Sequence, residues 1–462
     1  MMSAHASAVA DRLRDWPLDR ALAALVTPSA ANAVRSAVHG QSAPRSFLGQ
    51  PRVRLSCTGS IATGQLMWTR TQHDNSIALA MNLPHDPFEA IDLVLTSNEW
   101  LANGHGWWVI LLHYELARWV EPGALSRARN TTGPDDKTIP LIDLLWCGDL
   151  EDTAENLPLR CGPGEHRFIH SPLESSTSPD EYMAAVERIR DYIAAGDIFQ
   201  ANITQRYQCQ VTGNARELFI AGLDVSQAGY AAYIELDAER TVISLSPELF
   251  LDADFRSGHV VTRPIKGTRP RSAEAIELFE SEKDAAELHM IVDLMRNDLG
   301  RVARFGSVKV VNPRTIETHS TVHHGVAEVQ AILRPGISVG DLIKATFPAG
   351  SITGAPKVRA MQIINELESQ LRGIYCGAIG CYIPSEGRLT LNVAIRTMML
   401  ERVRGRERIS WAHLDNASLT YGAGGGIVTD SVPALELDEC RQKVEVLRQA
   451  LAQITSAEAP FR

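Results

Sequence analysis

Asp284 and Glu287 lie three residues apart in KDAAELHMIVDLMRNDLGR, so on a helix they share one face. Ile291 and Leu294 carry that face on as an apolar stripe. Carboxylates beside such a stripe are costly to bury unless a cation or a partner stands next to them. A solvated acidic edge with Lys283 as partner is the other reading. A second pair, Glu436 and Glu439, follows Pro433 in YGAGGGIVTDSVPALELDECRQK, with Lys443 one turn beyond Glu439. Carboxylates near a helix start also suit its macrodipole. Just ahead of them, Gly422, Gly424, Gly425 and Gly426 predict a turn whose backbone approaches a ligand closely and cradles a carboxylate or phosphate. Two separate acidic helix faces suggest a hard divalent ion held by few carboxylates. Water and substrate oxygens would complete the octahedron, which points to magnesium rather than zinc.

A third candidate is RPIKGTRPR, where Pro264 and Pro270 stiffen an extended segment around Lys266, Gly267 and Thr268. As an exposed basic loop it would do nothing. Partly desolvated, the Lys266 amine would favour its neutral form, which acts as nucleophile or base. Glu248 in SPELF stands at a strand end among apolar neighbours, which would raise its pKa towards general-acid work, or it is simply a surface residue. Tyr375 in RGIYCGAIG and Arg396 in NVAIRT are placed on adjacent strands. An arginine inside so apolar a run wants a bidentate carboxylate or an internal salt bridge. His324 in VHHG reads equally as a core histidine or a substrate contact.

These groups need a sizeable framework, and the chain can supply one. It has 462 residues, 45% of them hydrophobic and 22% charged, with 33 Gly and 23 Pro, which excludes disorder as the main state and a fibrous chain. Acidic residues outnumber basic ones by 55 to 45, for a net charge of −10. That balance, without a basic run interleaved with aromatics, argues against nucleic acid as a partner. Cysteines 57, 147, 161, 209, 376, 381 and 440 are scattered and contain no C-x-x-C pair, as in a reduced cytosolic protein. Arg12, Arg14 and Arg20 ahead of ALAALV faintly suggest a secretory leader. Asp11, Asp15 and Asp19 interleave with them, and the apolar run is only about six residues, below the usual h-region. No stretch approaches the ~20 apolar residues that span a bilayer. A cytoplasmic protein without a membrane partner is expected.

Strand-like runs (VRLSCTG, GWWVILLHYELARWV) fill the first part of the chain, and loop text rich in Pro, Gly, Ser, Thr and Asp runs from about Glu121 to Ser178. From Asp180 a helix is followed by strands IFQANITQRYQCQV, YAAYIELD and TVISLSPELFLDAD. Long amphipathic helices are expected over Ala273–Asp298 and Lys357–Gln370, then strands IYCGAIGCYI and RLTLNVAIRTMML joined by PSEGR, and a C-terminal helix. Without a regular βαβ cadence, the pattern favours an α+β fold over a doubly wound sheet.

Together these stretches resemble the chorismate-utilising enzymes, a family that includes the large subunits of anthranilate and aminodeoxychorismate synthases and the isochorismate and salicylate synthases. The likeness runs from about Asp180 to Leu451 through the Q-A-N segment with Gln200, SPELF, PIKGTRPR, ELHMIVDLMRNDLGR, FPAGSITGAPK, RGIYCGAIG and GAGGGIV with its E-x-x-E helix. It implies a large β-sandwich core flanked by helices, with an N-terminal region over 1–165 resembling anthranilate synthase component I and a chorismate-binding catalytic region over 180–455, packed as one globular unit. Glu287 and Glu439 match the family's magnesium ligands, with Asp284 and Glu436 behind them. Tyr375 and Arg396 match residues that hold the enolpyruvyl carboxylate. Gly267, Thr268, His324, Gly424, Gly425, Gly426 and Lys443 fall at substrate contacts, and Glu248 matches the general acid that assists loss of the C4 hydroxyl.

Two positions choose among branches. Gln200 stands where isochorismate- and salicylate-forming members carry a water-activating lysine, and glutamine cannot serve as that base. Lys266 in PIKGT stands where anthranilate synthases read P-I-A-G-T, and it is the mark of the aminodeoxychorismate branch. That branch aminates C4 through attack of the lysine at C2. The stretch matching the tryptophan-binding P-Y-M is Gly229-Tyr230-Ala231, and an L-L-E-S motif is missing, so tryptophan feedback is not expected. No G-x-C-x-G glutaminase turn is present, so ammonia is expected from a separate glutaminase subunit or from free ammonium.

Overall fold

In the computed structural model the described residues are 23–26, 46–49, 51–60, 65–72, 75–97, 106–122, 138–148, 151–152, 168–226, 228–318, 322–402 and 414–455. Arg12, Arg14, Arg20, Cys161 and most of the loop text between 121 and 178 lie outside them.

Two large sheets dominate these residues, one of 11 strands and one of 12, with every pairing between named strands antiparallel. Strand Trp107–Leu112 shows why they stack. Its side chains alternate in direction. Trp108, Ile110 and Leu112 join a core with helices Pro87–Leu95, Glu282–Gly300 and Val339–Thr346, while Trp107, Val109 and Leu111 meet Ala232, Ile234 and Val242 of the other sheet. The outer face of the 11-stranded sheet buries Ile203, Tyr207 and Leu419 against helices Pro179–Ala194, Ala215–Ser226 and Pro433–Ile454. The architecture is therefore helix, sheet, sheet, helix, an α+β sandwich. Truncating a central residue such as Leu111 to alanine would cost roughly 2–5 kcal/mol.

Strands from residues before 165 and after 180 share both sheets. Ala23–Val26 pairs with Tyr230–Glu235, and Trp107–Leu112 pairs with Ala378–Ile383. Within the span expected to be loop, Thr138–Cys147 is a buried ten-residue strand paired with Trp107–Leu112. Its apolar run LIDLLWC outweighs the Pro and Asp around it.

Three expectations about elements are corrected. The helix expected over Ala273–Asp298 is two helices, Ala275–Glu280 and Glu282–Gly300, because Ser281 adopts extended backbone and caps the second through Asp284 N–H at 3.3 Å. The helix from Lys357 ends at Leu367, where Glu368 turns extended. The run RLTLNVAIRTMML is not one strand: Arg388–Val393 lies in the 12-stranded sheet and Thr397–Arg402 in the 11-stranded one, with Arg396 at φ 50° between them. Much earlier in the chain, the reverse passage runs from Arg240–Ser246 in the 11-stranded sheet to Leu249–Asp254 in the 12-stranded one through Glu248.

Candidate active site

Lys266 owes its direction to a bulge. Strand Ile265–Pro270 pairs with Val322–Ile332, but the register slips between Ile265 and Thr268, leaving Lys266 and Gly267 in the irregular stretch. Gly267 takes φ +78°, and a Cβ there would sit 2.7 Å from Leu278 and 3.0 Å from Asp284 Cγ, so glycine is required. From this bulge Lys266 Nζ donates to Glu287 Oε1 at 2.6 Å, with 11% and 13% of the two side chains exposed. Gln200, at the start of strand Gln200–Gly213, donates its Nε2–H to the same oxygen at 2.6 Å. Gln200 is 1% exposed, and its Oε1 has no hydrogen-bond partner among the described residues.

Gly422, Gly424, Gly425 and Gly426 form part of strand Leu414–Ile427, not a turn, paired through Gly426 with Asn202, Gly425 with Ile203 and Gly424 with Thr204. Their smallness clears space instead. A Cβ on Gly426 would run into the Gln200 amide and lie 2.5 Å from Glu287 Oε1 and 3.1 Å from Lys266 Nζ. One on Gly425 would lie 3.5 Å from Glu436 Oε2 and 3.8 Å from both Glu439 Oε1 and Lys443 Nζ. Two bare neighbouring strand positions thus border carboxylates from both acidic helices.

On the C-terminal helix, Glu439 accepts an ion pair from Lys443 at 2.8 Å, and Lys443 also donates to the Gly424 carbonyl at 2.8 Å. Lys443 holds the Glu439 carboxyl below its ordinary range. Burial opposes the charge on Lys443, but Glu439 outweighs it and the ammonium is held above its usual pKa. Glu436, 4% exposed, meets Lys283 of the other helix at 3.5 Å. Lys283 therefore bridges the acidic faces instead of neutralising its own. Asp284 faces Arg269 at 2.7 Å.

Glu248 is 4% exposed at its sheet-to-sheet crossover. Burial raises its carboxyl to about 7, only partly offset by the Ser351 hydroxyl, Lys266 and the Ile265 backbone N–H. It is poised to carry a proton near neutrality. Ser351, in FPAGSITGAPK, was missed by reasoning from sequence; a serine in a Gly-rich stretch carries no signal of its own.

Tyr375 and Arg396 lie in the connections beside the strands, not on them. The Tyr375 ring covers Gly422, where any Cβ would collide with it, and burial keeps its phenol neutral. Cys376 N–H donates to the Ala394 carbonyl at 2.9 Å, tying the two connections together, and Cys376 and Arg396 both take left-handed backbone. Non-glycine residues there carry strain of order 1–3 kcal/mol. Burial lowers the pKa of the Arg396 guanidinium, and no carboxylate pairs with it among the described residues. His324 is buried and shares a 2.9 Å hydrogen bond between Nδ1 and Thr268 Oγ1.

Among the described residues, no three acidic, histidine or cysteine side chains converge to grip a metal ion unaided. The donors nonetheless fit a hard cation whose shell is completed by water and substrate: all are carboxylates, lysine ammonium groups already stand against them, and two glycines keep the space open. A cavity of about 640 Å³ is lined by Tyr375 and Gly422 together with His113, Glu115, Thr204, Arg206 and Glu368.

Comparison with known proteins bears on the family and the fold. Residues 70–449 match the profile described as chorismate binding enzyme. Anthranilate synthase component 1 of Thermus thermophilus is 39% identical over 301 residues, covering 64% of this chain and 61% of the relative. Aminodeoxychorismate synthase component 1 of Escherichia coli is 39% identical over 295 residues, covering 62% and 61%. The match thus spans about three fifths of the length of these relatives. Among solved structures, anthranilate synthase component I from Streptococcus pneumoniae superposes with a TM-score of 0.66 at 26% identity, covering 86% of this chain and 90% of that one.

Proposed function

This chain belongs to the chorismate-binding enzyme family, and from that premise we propose that it aminates chorismate at C4 to give 4-amino-4-deoxychorismate, serving p-aminobenzoate and folate synthesis. The observation that carries the reading is Lys266, an amine raised on a glycine bulge among the acidic residues and electrostatically coupled to Glu248.

The chemistry balances in two allylic displacements. The Lys266 amine forms a bond to C2 as both ring double bonds shift around the diene and the C4–O bond breaks. Glu248 gives its proton to the departing hydroxyl, which leaves as water, and then takes the proton shed by the lysine nitrogen. Ammonia next attacks C4, both double bonds shift back, and the C2–N bond breaks; the lysine nitrogen takes up the proton that ammonia loses. Two displacements return nitrogen to C4, whereas one would leave it at C2. Arg396 and Tyr375 suit the enolpyruvyl carboxylate, a bidentate anion for a lone buried guanidinium. Gly267, Thr268, His324, Gly424, Gly425, Gly426 and Lys443 line the approach.

Magnesium would be held by Glu287 and Glu439, with Glu436 and Asp284 behind them, and would supply positive charge to anchor the ring carboxylate. Relatives named component 1 imply a second component, and ammonia from a separate glutaminase subunit fits that organisation. The rival reading is anthranilate synthesis, since the Thermus relative is as similar as the Escherichia one. Incubation with chorismate, MgCl2 and ammonium separates them: the C4-amino product supports the proposal, and fluorescent anthranilate overturns it.

A further inference from the structure

The carboxylates around Gly425 and Gly426 are already neutralised one for one. Lys266 meets Glu287 at 2.6 Å, Lys443 meets Glu439 at 2.8 Å and Lys283 meets Glu436 at 3.5 Å. A divalent cation cannot join such a balanced cluster without displacing at least one ammonium group, because like charges so close repel strongly in a partly buried site. The three lysines differ in where they can go. The Lys283 side chain is 49% exposed and can swing into water, whereas Lys443, 41% exposed along its length, is also held at its ammonium by the Gly424 carbonyl. Lys266 is 11% exposed, so on leaving Glu287 it stays within the site. Glu248 is the buried carboxyl electrostatically coupled to it. A second observation marks the same spot as built for a ligand: the Gln200 carboxamide, 1% exposed and bonded to Glu287, leaves its Oε1 without a partner.

We infer that Lys266 is the resident counter-ion of Glu287, and that a divalent cation and Lys266 exchange for this carboxylate, so that cation binding releases the amine from Glu287. The inference rests on the reading of Glu287 and Glu439 as cation ligands. It adds a coupling: the cation competes with the nucleophile for one oxygen, so the amine is freed only in the loaded enzyme. The sequence order of events follows, with the lysine masked until the cation is in place.

Calorimetric titration of MgCl2 alone into the full chain and into its Lys266→Met and Lys266→Arg variants tests this. Breaking a charge-assisted bond of this kind should tighten Mg²⁺ binding to the methionine variant roughly 10- to 100-fold, while arginine keeps the weaker wild-type affinity. Equal affinity in all three proteins would overturn the exchange and leave the metal reading standing. No binding to any of them would overturn the metal reading itself. Reductive methylation of the wild-type protein, read by mass spectrometry, needs no variant: Lys266 should become several-fold more reactive on adding Mg²⁺, and unchanged or lower reactivity would contradict its release.

Discussion

Glu248 and Arg396 occupy neighbouring crossovers, two of the points at which the chain leaves one sheet for the other. Val393 N–H donates to the Glu248 carbonyl at 3.1 Å, and Leu245 N–H donates to the Arg396 carbonyl at 3.0 Å, so each crossover is laced to the strand beside the other. Breaks in two sheets are thereby turned into a rigid mount for an acid and a cation.

Glu248 should set the alkaline limb of activity. Its folded-state pKa of about 7 lies above the ordinary value of 4.5, so the folded protein favours the protonated form. The stability this contributes is present below pH 4.5 and is lost as pH rises through 7. Turnover should fall above pH 7 as the acid ionises. Glu248→Gln should reduce kcat about 10²- to 10⁴-fold. It should also melt higher than wild type at pH 8, where a buried charge has been removed, with the difference closing at pH 5. Melting curves at the two pH values check the sign.

Arg396→Met should raise KM for chorismate about 100-fold, and Arg396→Lys should recover only part of the loss because an ammonium cannot reproduce the planar fork. Since the guanidinium is buried without a carboxylate, the methionine variant should fold at least as stably as wild type. Steady-state kinetics and urea unfolding check both halves.

Gly426 and Gly425 should respond differently to alanine. The Gly426→Ala methyl collides with Gln200 and crowds Glu287, whereas the nearest atoms to a Gly425→Ala methyl are at ordinary contact distance. Urea unfolding should show a loss of about 1–3 kcal/mol for the first and within about 0.5 kcal/mol for the second.

Glu287→Gln and Glu439→Gln should each lower kcat/KM at least about 100-fold, and EDTA should silence the wild-type protein until MgCl2 is restored. Turnover that persists in excess EDTA would contradict the role given to both glutamates.

Much of this site was legible in residue types and spacing. Carboxylates three apart on a helix needed only its periodicity, and Lys266 stood out as the one amine among arginines. What was not legible depended on partners distant in sequence. Lys283 was read against its own helix, yet it reaches Glu436, 153 residues on. The glycines from 422 to 426 carry turn composition but lie in a strand, because the Tyr375 ring and the Gln200 amide occupy the space their side chains would fill. RLTLNVAIRTMML reads as one strand because apolar alternation says nothing about which sheet receives each half. Only the left-handed backbone at Arg396 marks the change.

Where the new nitrogen lands tests the account most directly. Wild-type protein given chorismate, MgCl2 and ¹⁵N-labelled ammonium should yield a product with labelled nitrogen on C4 and the enolpyruvyl group intact, by NMR of the quenched mixture, and Lys266→Ala should lose that product. Nitrogen on C2 with pyruvate released, or an undiminished C4-amino product from the alanine variant, would contradict it.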